Sequence, residues 1–257
     1  MTATVRYERE GAVARITFDH PAARNAMTWS MYEQLSECLT RLSKDATARV
    51  AVLRGSGGHF VSGTDITQFS DFSSGDDGVA YERRLEALVA QLERVSIPTI
   101  AVIEGNAAGA GLLIATACDI RVCTPDAVLS VPIARTVGNT LALGAIARLV
   151  ASLGISRTKA LLMTAGTIEA AEARAAGFVS TVIAPDQLDE QLGALVKKVS
   201  GLAPLTLSAT KRLVAQVVDV VVAEAADDIV REVYGSRDFR EGVSAFTEKR
   251  RPAWEGR

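Results

Sequence analysis

Two glycine-rich stretches carry the residues best suited to chemistry. One runs Gly58-His59-Phe60-Val61-Ser62-Gly63-Thr64-Asp65, the other Gly105-Asn106-Ala107-Ala108-Gly109-Ala110-Gly111. Each follows a short apolar run and precedes a helical pattern. Small residues at such a turn let a ligand approach the main chain, and unpaired amides at a helix start can donate to an anion or an oxyanion. Either stretch by itself is also compatible with a plain tight loop. The second does not follow the spacing G-x-G-x-x-G, which argues against a dinucleotide site. Among nearby side chains, Asp65 offers a carboxylate. The two histidines, His20 and His59, are bases by type. His20 precedes Pro21 and His59 lies early in its loop, so both are expected to be structural or on the surface.

Elements able to hold these turns are legible around them. Residues 4–7 and 13–18 read as strands joined by a hairpin at Glu10-Gly11, and 28–43 as a helix capped by Thr28. Residues 50–53 and Thr99–Ile103 are short buried strands, the second entered through Pro98. The segment 67–78 is rich in Ser, Gly and Asp and reads as a mobile loop. Residues 81–95 form an amphipathic helix with Leu85, Leu88, Val89 and Leu92 on one face. After the second turn come an apolar helix to Cys118 and strands at 120–123 and 127–131. Helices at 141–151, 156–164, 169–176, 186–200, 204–217 and 219–234 follow, interrupted by strand character only at 179–183. Strands alternating with helices imply an α/β body with a parallel or spiral sheet, here residues 1–200, followed by a helical region, 201–257.

Read together and in order, these segments resemble the crotonase, or enoyl-CoA hydratase/isomerase, superfamily. Pro21-Ala22-Ala23-Arg24-Asn25-Ala26-Met27 is similar to its P-x-x-R/K-N-A-M segment, and Phe60 to Ile66 to A-F-x-A-G-A-D-L. Glu104 to Gly111 resembles N-G-x-A-x-G-G-G. Ala245-Phe246 with Glu248-Lys249-Arg250-Arg251-Pro252 resembles the ending A-F-x-E-K-R-x-P. The resemblance implies a spiral of ββα units with a helical C-terminal trimerisation region. It also implies an acyl-CoA thioester as substrate, and no cofactor beyond the coenzyme A that the substrate carries.

The roles carried over are specific. The amides of Thr64 and Ala110 would form an oxyanion hole, each donor stabilising developing charge by about 2.7–4 kcal/mol. Arg24 would meet the CoA phosphates, and the main chain at Ala26 and Ser62 the adenine and pantetheine. Asp65, Ile66, Ala108, Gly109, Leu113, Pro132, Ile133 and Arg135 would line the substrate site. Phe246 and Lys249 would close it from a neighbouring subunit. The implied partners are thus an acyl-CoA and further copies of the chain, as a homotrimer or a dimer of trimers.

The sequence departs from the family pattern at its acid–base residues. Hydratases use two glutamates, one to activate water and one to deliver a proton. Their positions hold Leu113 and Ile133. Between Gly105 and Ala165 the only acidic residues are Asp119 and Asp126, both structural by position. Gly138-Asn139 resembles the CoA dehalogenase branch, but Thr140 stands where that branch has a nucleophilic aspartate. Asn139 or Thr140 is expected to cap a helix, while Arg135, Thr136, Asn139 and Thr140 remain candidates for binding or proton relay. Two functions therefore stay open: an enzyme that stabilises a thioester enolate without the ordinary hydratase pair, and a non-catalytic acyl-CoA-binding homologue. A serine hydrolase is disfavoured by the lack of G-x-S-x-G.

Composition bounds the remaining classes. A hydrophobic share of 48%, 23% charged residues and a net charge of -2 suit a globular protein without the basic face that nucleic acid requires. The longest uncharged apolar stretch, 105–118, is too short and glycine-rich to span a bilayer, and the N-terminus lacks a signal-peptide core. Cys38, Cys118 and Cys123 read as buried reduced thiols, with no metal-like spacing. These features point to the cytosol. Residues 217–223 carry few charges and are expected to need a partner surface.

Overall fold

The computed structural model describes residues 3–219 and 227–255, with only the backbone for 217–219. Among the described residues the strands form one six-stranded and one three-stranded sheet. Strands β1 (Thr4–Glu10) and β2 (Val13–Asp19) form the expected hairpin, turning at Gly11. From β2 onward the pairs are parallel: β3 (Val50–Gly55), β4 (Thr99–Ile103), β6 (Ile120–Cys123) and β9 (Thr181–Val182). Both faces of this sheet are covered, which is why its strands read as unbroken apolar runs. Val50, Val52, Ile100 and Val102 pack against α8 (Leu188–Ser200) through Leu188, Leu192 and Val196. Leu53, Ala101 and Ile103 face the other way, into the main apolar cluster.

That main cluster is built on α1 (Trp29–Ser43), α2 (Gly75–Glu93) and α3 (Ala110–Ala117). Thr28 caps α1 by accepting from the Met31 amide. The second sheet joins β5 (Asn106–Ala108) parallel to β7 (Val128–Ser130), and β7 antiparallel to β8 (Thr167–Glu169). Val61 extends it through a parallel bridge to Ala107. Each large-sheet strand in this region thus passes to a short strand of the second sheet and then to a helix, β4-β5-α3 and β6-β7-α4 (Ile133–Thr136). This is the expected spiral of ββα units. Strands β5 and β8 were not expected; three residues are too few to display a period.

Three expectations about local structure are corrected. Residues 67–78 are not a loop. A 3-10 helix spans Ile66–Asp71, with the Asp65 carboxylate accepting from the Thr67 amide, and α2 already starts at Gly75. The Asp77 carboxylate accepts from the amides of Ser73 and Ser74, closing a capping box with Ser74. Gly75 and Gly78 are contact residues: a methyl group would fall 1.9 Å from the Arg231 carbonyl oxygen at the first and 2.0 Å from the Tyr234 ring at the second. Nor do Asn139 and Thr140 cap a helix, since α5 (Leu143–Leu153) begins later with Ala142 in the cap position. The helix expected from 169 starts one residue on, as α7 (Ala170–Ala175), because Glu169 still belongs to β8.

Helix α6 (Ile155–Met163) links α5 to β8. The chain ends in α9 (Pro204–Asp219), α10 (Asp227–Tyr234) and α11 (Arg237–Thr247). Val230, Tyr234, Phe239 and Val243 belong to the same apolar cluster as the sheet and α1–α3. Lys211 of α9 reaches Asp119, 2.7 Å away. The expected helix over 219–234 is described only from Asp227 on. Residues 220–226, and the side chains of the apolar run 217–223, lie outside the described residues. All three cysteines are free and buried. Among the described residues, no helix is long and apolar enough to cross a membrane.

Candidate active site

The two glycine-rich turns lie against each other. The Val61 amide donates to the Asn106 carbonyl at 3.2 Å, and the Ala108 amide to the Val61 carbonyl at 2.9 Å. These bonds bring Gly63 beside Gly109. A methyl group on Gly63 would sit 3.4 Å from the Ala108 carbonyl oxygen, and one on Gly109 3.9 Å from the Gly63 Cα. Gly109 also has φ +49°, a conformation that side chains disfavour. Ala110 follows as the first residue of α3, so its amide has no intrahelical acceptor. Among the described residues, neither it nor the Thr64 amide donates to a backbone carbonyl.

The segment before α1 locks the first turn. Arg24 and Asn25 are consecutive left-handed residues, with φ 50° and 60°. Asn25 is fully buried; its side-chain NH2 donates to the carbonyls of Ser56 and His59, and its Oδ1 accepts from the His20 amide. The Ser62 amide donates to the Arg24 carbonyl, and the Ser62 hydroxyl to that of Ala23. The Ala26 carbonyl accepts from His20 Nδ1 at 3.0 Å. His59 Nδ1 accepts from the Asn106 amide at 3.2 Å. Both histidines therefore tie backbone segments together. The segment of Arg24 and Ala26 is thus joined to the turn of Ser62, Thr64 and Asp65, which lies against that of Ala108, Gly109 and Ala110.

The Thr64 side chain is engaged as well as its amide. Its hydroxyl bonds the Tyr32 hydroxyl at 2.6 Å and that of Tyr81 at 2.7 Å. Burial pushes the Tyr32 phenol up to about 12 and Tyr81 well above the usual range, so all three groups stay neutral. Trp29, Phe69, Phe72, Tyr81, Tyr234 and Phe239 join in a continuous aromatic cluster beside them.

Leu113 is 1% exposed and Ile133 is partly buried against the main cluster. The Gly109 amide donates to the Ser130 carbonyl, bringing the end of β7 to the second turn. Beyond β7, Pro132 stands in the cap position of α4 and its carbonyl accepts from Arg135 and Thr136. Ile66 packs on the core while the Asp65 carboxylate holds Thr67, a structural role. Arg135 is exposed. Phe246 is 45% exposed and Lys249 is exposed as well, and among the described residues no hydrogen bond or ion pair joins either to Arg24, Ser62 or Thr64. A separate cavity of about 510 Å3 opens between α9 and the ends of α3 and α5. It contains none of the sequence-predicted residues, and its Lys211 and Arg148 are paired with Asp119 and Glu93.

One chemically capable residue escaped the sequence reading. Glu82 on α2 is 3% exposed. Tyr234 donates to its Oε1 and the Ala142 amide to its Oε2, each at 2.7 Å. Burial raises its carboxyl to about 7 despite these two donors. Asn139 donates to the Tyr234 hydroxyl at 2.8 Å, while its own buried Oδ1 has no partner among the described residues. Glu82 and Leu113 line the same narrow gap between α2, α3 and α5. A signal did exist. Residues 82, 85, 89 and 92 fall on one helical stripe, so the apolar face of α2 carries a carboxylate midway along the helix.

Comparison with known proteins agrees with this architecture. The family model for enoyl-CoA hydratase/isomerase matches residues 8–257. The bovine (Bos taurus) mitochondrial enoyl-CoA hydratase domain-containing protein 2 is 32% identical over 252 residues, covering 95% of this chain and 84% of the relative. The 2,3-dehydroadipyl-CoA hydratase of Escherichia coli K12 is 30% identical, with 97% of each chain covered. A crystallised methylmalonyl-CoA decarboxylase, in complex with 2-nitronate-propionyl-CoA, superposes with a TM-score of 0.89 at 25% identity, over 98% of each chain. Fold and paired turns define a crotonase-type protein. The chain belongs to the enoyl-CoA hydratase/isomerase family.

Proposed function

We propose that this chain binds an acyl-CoA thioester and stabilises its enolate, with the amides of Thr64 and Ala110 as the oxyanion hole. The observation that supports the reading most is the contact of the two turns at Gly63 and Gly109, which leaves the next amide of each without a backbone acceptor. Donors fixed in advance by a folded backbone need no reorganisation as charge develops. Relatives named for CoA thioesters support that substrate class. Coenzyme A enters as part of the substrate, Arg24 reaching its phosphates. Ordinary hydration is not the proposed reaction, because Leu113 and Ile133 can neither activate water nor deliver a proton.

The test is α-proton exchange on butyryl-CoA in deuterated water. The wild-type protein exchanges; Ala110→Ser keeps exchange, and Ala110→Pro, which deletes the amide, loses it while still binding the thioester. Equal behaviour of the two variants refutes the oxyanion hole. Leu113 and Ile133 favour one competing reading, a non-catalytic acyl-CoA binder, for which calorimetric binding of butyryl-CoA without any exchange is the expected result. Binding of free butyrate as tightly as butyryl-CoA counts against both.

A further inference from the structure

Resting on the thioester reading above, we infer that Glu82 is the proton-transfer residue of this site, placed on α2 in compensation for the aliphatic residues at 113 and 133. Three observations converge. The carboxylate is nearly fully enclosed and lines the gap that Leu113 also lines. It is held from two sides by Tyr234 and the Ala142 amide, which fixes its direction. Beyond it, Asn139 orients the Tyr234 hydroxyl and keeps a buried Oδ1 without a partner, an unspent acceptor in the same cluster. An ionisable carboxyl buried on an otherwise apolar stripe carries a desolvation cost, and such groups cluster at functional sites.

The step balances without a co-reactant. The C–H bond α to the thioester carbonyl breaks and its electron pair forms the enolate double bond. The carbonyl π pair moves onto the oxygen between the amides of Thr64 and Ala110, and the proton goes to Glu82. Returning it to the same or a vinylogous carbon completes an exchange or an isomerisation. The groups facing Glu82 set its behaviour. On its own helix are Tyr81 and Glu86, the latter paired to Arg148 of α5, and Tyr234 comes from α10. Helix α3 offers only Leu113. Among the described residues no cation bonds Glu82 itself, so burial dominates and raises its carboxyl to about 7.

Exchange of butyryl-CoA in deuterated water is followed from pH 5 to 9 in wild type, Glu82→Gln, Tyr234→Phe and Ala110→Pro, with butyryl-CoA binding and circular dichroism as checks on folding. Wild-type exchange should rise with pH through about 7, as the base ionises. Glu82→Gln should lose that limb and about 10²–10⁴-fold in rate. Tyr234→Phe removes a donor that stabilises the carboxylate, so its limb should move to higher pH; a merely structural tyrosine would lower the rate without moving it. Unchanged rate and limb in Glu82→Gln, alongside loss in Ala110→Pro, overturns the assignment of Glu82 and leaves the enolate reading standing. No exchange in the wild type sinks that reading and this assignment with it.

Discussion

A carboxyl group as enclosed as that of Glu82 ties fold stability to pH. Its folded value lies near 7 against an ordinary 4.5, mainly through burial. Between those values the folded chain holds a proton that the unfolded chain has released, so stability falls as pH rises from about 5 to about 8. The full effect is up to ~3 kcal/mol. Urea unfolding of wild type and Glu82→Gln at pH 5 and 8 should show the wild type losing stability relative to the variant; parallel behaviour would mean the carboxyl is not held as described. At the same scale, Leu113 and Ile133 predict negligible hydration of crotonyl-CoA. Two positioned acid–base groups are missing, each ordinarily giving 10²–10⁴-fold. A kcat above roughly 1 s⁻¹ would show that Glu82 or another group also activates water.

Helix α2 is the element on which both polar networks hang, Tyr81 toward Thr64 and Glu82 toward Tyr234. Its N-terminal half depends on close contact with α10. In a free helix, Gly→Ala stabilises by up to ~1 kcal/mol. At Gly78 the added methyl would fall 2.0 Å from the Tyr234 ring. Gly78→Ala should therefore destabilise by about 1–3 kcal/mol, the opposite sign, and weaken exchange by displacing Tyr234 from Glu82. Thermal melting decides the sign. A stabilised Gly78→Ala would mean that α10 is not seated on α2.

At the scale of the whole molecule, α9 leaves Leu205 84%, Leu213 62% and Val214 60% exposed, apolar side chains that a partner surface would cover. With the family resemblance, this supports a trimer or a dimer of trimers, in which Phe246 and Lys249 of one chain would close the CoA site of the next. Light scattering at micromolar concentration should give one of those masses. Leu205→Lys with Leu213→Lys should shift the protein to monomer and weaken butyryl-CoA binding. A wild-type monomer, or full binding by a monomeric variant, would remove the shared site.

Much of this protein was legible along the chain, and the reason is that the features concerned are local. Gly63 and Gly109 announce turns whose next amide is free, Thr28 announces a cap, and the apolar runs at 50–53 and Thr99–Ile103 announce strands buried on both faces. The absence of glutamate at 113 and 133 is likewise a matter of reading positions. What tertiary structure decided is the setting of Glu82. Glu82 becomes a buried carboxylate only because α10 crosses α2 at Gly75 and Gly78 and sets Tyr234 over it. Asn139 serves that cluster rather than a helix cap because α5 starts at Leu143. The short strands β5 and β8 likewise exist through their partners, not through any period of their own. A side chain's type is written in the sequence, but whether water reaches it depends on segments far away in the chain, and for a carboxylate that difference separates a solvated charge from a base poised near neutral pH.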